Sequence, residues 1–170
     1  SAFRPRNHEG SADCSDLPER LRRARALATD ARWRSPIEAF TWGGFRVVPL
    51  TDPVALTEEA IALRTCVDTF QAACAAGKRF LFGFRDVATG KRLATLALSR
   101  DGNTVEIHDL RRMANQSPTE QEQALADEVL ERVRDTLAGR AGPLVSTGRH
   151  APGTRRHGTT STVRQGDAHA

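Results

Sequence analysis

Phenylalanine occupies every second position of the run Arg79-Phe80-Leu81-Phe82-Gly83-Phe84-Arg85, and this spacing limits the fold more than any other feature of the chain. Successive side chains of a β-strand point to opposite faces, so Phe80, Phe82 and Phe84 fall on one side of a strand that must be covered. Ala88-Thr89-Gly90-Lys91 then turns the chain. A second strand runs from Arg92 to Leu98 with Leu96 and Leu98 on one side, Asp101-Gly102 is a hairpin signal, and Thr104 to Leu110 reads as a third strand. The expectation is an antiparallel meander.

The covering elements lie on either side of it in sequence. Thr51 or Asp52 can cap a helix with Pro53 at its first position. Leu56, Ala60, Leu63, Val67, Phe70 and Cys74 follow alternating steps of four and three, one buried stripe of a single helix that Gly77 ends. Cys74 belongs to that stripe, and Cys66 lies beside it. After the strands, Ser117-Pro118-Thr119-Glu120 reads as a capping box, and Leu125 or Ala126, Val129, Val133 and Leu137 form the stripe of a second helix ending at Gly139. These two helices are expected to cover one face of the sheet.

Upstream, Ser15 or Asp16 can cap a helix over about 17–33, with Leu17, Leu21, Ala24, Ala28 and Ala31 at helical spacing. Ser35-Pro36 stops it, and Trp42-Gly43-Gly44 turns into a short strand, Phe45 to Val48, ended by Pro49. Trp33, Phe40 and Trp42 pack this linker onto the body. The fold class is α+β: a small three- to four-stranded antiparallel meander packed by two main helices, with an Arg-rich N-terminal helix and disordered ends. Residues 1–14 are a disordered lead, 15–35 the Arg-rich helix, 36–139 the α+β domain and 140–170 a disordered basic tail.

A chain of 170 residues suits one such domain. Hydrophobic residues make up 39%, and no apolar run approaches the roughly 20 residues of a membrane helix, so a soluble protein without a membrane partner is expected. Ser1 in place of Met points to a processed, cloned or truncated end. Cys14, Cys66 and Cys74 form no CxxC pair and no zinc pattern, which suggests free thiols, a reducing cytoplasm and no metal. The net charge of +4 is uneven: residues 1–49 carry +3, residues 50–138 carry −3 and residues 139–170 carry +4. Basic flanks can meet nucleic acid by counterion release.

Over about 60 residues the chain resembles the PcfJ-like proteins of conjugative plasmids, phages and other mobile elements. The likeness rests on Leu56, Glu59-Ala60, Cys66-Val67, Phe70, Gly77, Phe80 to Arg85, Ala94-Thr95-Leu96, Asp109, Arg111 and Asn115. Thr65 stands where that family has His, Ala60 and Asp68 where it has Gly, Phe70 for its Tyr, Asp109 for its Gln and Arg112 for its last Gly. The resemblance implies a bacterial, mobile-element setting more than a reaction.

Candidate catalytic residues are Cys66, His108 and Asp109. A nucleophilic thiol needs a base or cation nearby, and His108 could supply one if the helix crosses the third strand. Arg111 and Asn115 at the exit of that strand, with Arg64, are candidate binding groups for a phosphate, nucleotide or carboxylate. Arg20, Arg22, Arg23, Arg25, Arg32 and Arg34 are the candidate nucleic-acid contacts. The sequence contains no Gly-rich phosphate loop, HExxH or GxSxG, and no cofactor is expected. The expected function is an accessory or interaction domain of mobile-element origin that binds nucleic acid through basic flanks, or a protein of the same element. The alternatives are a nucleotide-handling transferase or thiol-dependent enzyme, or a diverged domain without activity.

Overall fold

Five strands pair strictly in chain order: β1 Phe40–Trp42, β2 Phe45–Pro49, β3 Arg79–Asp86, β4 Arg92–Asp101 and β5 Thr104–Arg112. Every pairing is antiparallel, and the computed structural model describes residues 16–27 and 31–139. The protein is thus α+β, with one more strand than the upper expectation. The extra strand, β1, is three residues long and pairs with β2 across the Trp42-Gly43-Gly44 turn, where Gly43 takes the positive φ that such a tight turn requires. The expected disordered lead and tail lie outside the described residues, as do residues 28–30.

The sheet is covered on both faces, not on one. On the first, Val47, Phe80, Phe82, Phe84, Ala94, Leu96, Leu98, Val105 and Leu110 pack against Leu125, Ala126, Val129 and Val133 of α4, Glu120–Leu137. Phe40, Trp42 and Phe45 close this layer near β1, and the Arg132 guanidinium stands 4.0 Å over the Phe40 ring. On the second face, Leu50, Leu81 and Ala97 meet Leu56 and Ala60 of α2, Pro53–Leu63, together with Val67 and Cys74. Trp33 joins that layer, and its indole N–H donates to the Leu50 carbonyl at 2.8 Å. Leu81 and Ala97 alternate with the phenylalanines and Leu96, so β3 and β4 are apolar on both sides and require cover on both.

The first helix of the body is shorter than its stripe predicts. α2 starts as expected, with Asp52 accepting from the Ala55 amide at 2.8 Å, but it ends at Leu63. Arg64 takes the left-handed conformation at φ 52°, and the Thr65 amide closes the turn on the Ala60 carbonyl. A 3-10 turn, Val67–Phe70, and a short helix α3, Gln71–Ala75, follow. Both keep Val67, Phe70 and Cys74 against the sheet, so the apolar stripe runs through a break that it does not reveal.

α4 begins one half-turn later than the sequence suggests. The capping box is Thr119 with Glu122: the Thr119 hydroxyl accepts from the Glu122 amide at 3.2 Å, and the Glu122 carboxylate accepts from the Thr119 amide at 2.8 Å. Glu122 is buried and pairs with Arg112 of β5, which fixes the helix start to the sheet. α1 spans Leu17–Leu27 and packs beside α2 with Ala24 buried, and an ion pair runs from Arg20 to Asp68 of the 3-10 turn. Arg32 and Arg34 therefore lie in the irregular segment after the helix, not on it.

Candidate functional site

The second face carries an unusual polar inclusion among its apolar residues. Glu59 of α2 is 0% exposed, and its stripe position, three past Leu56 and four before Leu63, aims it at the sheet. Gly83 of β3 makes room for it: a Cβ there would stand 2.7 Å from Glu59 Oε1. The Thr95 hydroxyl of β4 donates to the same oxygen at 3.3 Å. Arg92 Nε lies 2.9 Å from Glu59 Oε2, off the angle of a linear hydrogen bond, and an Arg85 terminal nitrogen lies 3.9 Å from it. Burial pushes the Glu59 carboxyl above its ordinary 4.5, while Arg92, Arg85 and the Thr95 hydroxyl pull it back.

Those arginines are not isolated. Arg46 of β2 is opposite Arg85 of β3, and Arg85 is opposite Arg92 of β4, so three guanidinium-bearing residues form one cross-strand row. Like charges directly opposite each other oppose strand pairing by roughly 0.2–1 kcal/mol each. Beside the row lies an open depression of about 440 Å³ lined by Ala62, Arg85, Gly90, Lys91, Arg92 and Met113. Its walls are the last turn of α2, the β3–β4 turn and the corner after β5. The β3–β4 turn is held by Asp86, whose carboxylate accepts from the Thr89 amide and hydroxyl at 2.7 and 2.8 Å. Those bonds hold the Asp86 carboxyl below its ordinary range. Glu58 reaches Arg92 from α2 at 3.6 Å.

The residues singled out from sequence fall in several places. Asp109 and Arg111 pair with each other at 2.9 Å on the edge strand, with Arg111 opposite Thr95. Asn115 and Ala114 both take positive φ in the 3-10 turn Met113–Asn115, so Asn115 shapes the corner whose Met113 lines the depression. Arg64 is exposed at the end of α2. Cys66 is not within a helix as expected but opens the turn that leads to Phe70, whose ring meets His108 edge-on at 5.8 Å. His108 is the unopposed residue of a β-bulge, since Ala97 faces Asp109 and Leu98 faces Ile107. Four residues of strand, about 13 Å, separate His108 from Arg112, where the corner that holds Asn115 begins. Burial pushes the Cys74 thiol up to about 11, which fits its role as a core residue.

The N-terminal arginines are partly engaged. Arg20 pairs with Asp68, and Arg22 and Arg23 both pair with Glu19, Arg23 at 3.1 Å. Arg25, Arg32 and Arg34 are exposed. Among the described residues no group of three or more His, Cys, Asp or Glu side chains could hold a metal ion, and no helix is long and apolar enough to cross a membrane. Sequence reasoning passed over Glu59, Gly83, Arg85, Lys91 and Arg92 as a site, although two signals were present: a carboxylate on an apolar helical stripe and a lone glycine inside a phenylalanine-rich strand. No family model, no curated protein and no solved structure matches the chain.

Proposed function

We propose that the domain is a binding module for phosphate-bearing ligands, received on the second face of the sheet where Arg46, Arg85 and Arg92 form their row. The observation that carries this reading is the row itself: three like charges stand on neighbouring strands, Glu58 and Glu59 offset only part of their repulsion, and an anion relieves the rest. The ligand we infer is nucleic acid, in keeping with the basic flanks and with the resemblance to PcfJ-like proteins, which gives a bacterial mobile-element setting. The main contact is then the sheet face, and exposed Arg25, Arg32 and Arg34 contribute at longer range.

Binding of single- and double-stranded DNA, titrated against salt, tests the reading. Arg46 and Lys91 are exposed and outside the Glu59 contacts, so their replacement by alanine leaves the fold in place. Each released counterion contributes about 0.7 to 0.9 to the slope of log affinity against log salt, and the double variant should lose roughly 1.5 of that slope. A slope and affinity equal to those of the unaltered protein would overturn the proposal.

A further inference from the structure

The charge count and shape of the depression select the kind of phosphate it receives, a step that rests on the reading above. Arg85, Lys91 and Arg92 line the depression with Arg46 next to them in the row, and three carboxylates, Glu58, Glu59 and Asp86, stand against these four cations, leaving a surplus of one positive charge. Glu59 cannot swing away, because Gly83 and Thr95 enclose its carboxylate. An entering anion therefore competes with a built-in counter-ion. A backbone phosphodiester brings one charge to that contest. A phosphate monoester brings about −1.5 to −2 at neutral pH and three terminal oxygens.

The shape points the same way. Three separate chain segments wall the depression at Ala62, Gly90-Lys91 and Met113, and Arg85 and Arg92 line it between them. The open depression of about 440 Å³ has room for a terminal phosphate together with the first sugar. The Nε atoms of Arg85 and Arg92 are buried toward Glu59, while the two side chains are 29% and 30% exposed and line the depression, so the donors left for an anion are their terminal nitrogens. Met113, one of three large apolar side chains exposed among the described residues, stands at the rim where the first sugar and base would lie.

We propose that this depression binds a phosphate monoester, the phosphorylated end of a nucleic-acid strand, with Arg85 and Arg92 as its clamp, Lys91 as the contact from the β3–β4 turn and Glu59 as the positioning residue for both guanidiniums. The test compares one oligonucleotide carrying a 5′-phosphate, a 3′-phosphate or hydroxyl ends, with inorganic phosphate and a nucleoside monophosphate as competitors. The phosphorylated strand should bind about tenfold more tightly than the unphosphorylated one, a charge-assisted gain, and inorganic phosphate should erase the difference. Lys91→Glu, exposed and outside the core, should abolish the preference while circular dichroism stays unchanged. Equal binding of all three strands, with salt dependence retained, overturns the end-specific site and leaves the backbone reading standing. Absence of binding by any strand at low salt removes both. A nucleoside monophosphate that binds as tightly as the phosphorylated strand upholds the monoester site and overturns the strand end as its source.

Discussion

Glu59 is where a single residue sets the character of a whole face. Its carboxylate sits where Gly83 has no side chain, so any larger residue at position 83 would push the acid off Arg92 or open β3 from α2. Burial raises its pKa against the opposing pull of Arg92, Arg85 and Thr95, with Glu58 nearby on the same helix. In the window above 4.5 the folded protein holds a proton at Glu59 that the unfolded chain has released. Its contribution to stability is therefore fully present below 4.5 and is lost as pH rises through the folded value. Asp68 is shifted in the same direction by burial, so the difference between two proteins isolates the effect of one group. Urea midpoints from about pH 4 to about pH 8 should fall less steeply in Glu59→Gln than in the unaltered protein. Parallel curves would mean that Glu59 is ionised throughout. This residue was legible as an inward carboxylate from Leu56 and Leu63, but its arginine partners were not, because strand register, which no local pattern reports, brings Arg46, Arg85 and Arg92 into one row.

At the scale of elements, alternation was the stronger signal. β3, β4 and β5 begin at Arg79, Arg92 and Thr104 as the sequence predicts, and they run past the predicted ends to Asp86, Asp101 and Arg112. Helical periodicity told which side of α2 and α4 is apolar but not which face of the sheet each covers; Leu81 and Ala97, apolar on the face opposite the phenylalanines, carried that information. The end of α2 was hidden because an arginine, not a glycine, takes the left-handed position. α1 is attached to the body rather than to the sheet, through buried Ala24 and the Arg20–Asp68 pair. Removing one partner of a buried pair strands the other charge, at about 3–5 kcal/mol when burial is complete, and roughly 1–3 here because Arg20 is 20% exposed. Arg20→Ala should accordingly speed amide exchange in residues 17–27 and leave β3 to β5 protected. Uniform loss of protection across the sheet would make α1 an integral part of the core instead.

For the molecule as a whole, the meander makes three of the four strand pairings local, because β1–β2, β3–β4 and β4–β5 are each closed by a short turn. Only β2–β3 spans a long segment, from Pro49 to Arg79, and that segment holds α2 and α3 and contributes most of the second layer. The β2–β3 ladder joins two parts of the chain that could each form early: the β1–β2 hairpin and the three strands β3 to β5. Loop closure has its largest entropy cost at this junction, so the folding barrier is expected there. Val47→Ala, in β2 beside Phe84, should slow folding, whereas Val105→Ala, in the local β4–β5 hairpin, should mainly speed unfolding; chevron plots of the two variants separate these outcomes. The same junction bears on the anion site, since Arg46 reaches Arg85 only across the β2–β3 ladder. The arginine row is thus completed by the last long-range step of assembly, and an anion that favours the row would act as a clasp on the slowest-forming seam of the protein.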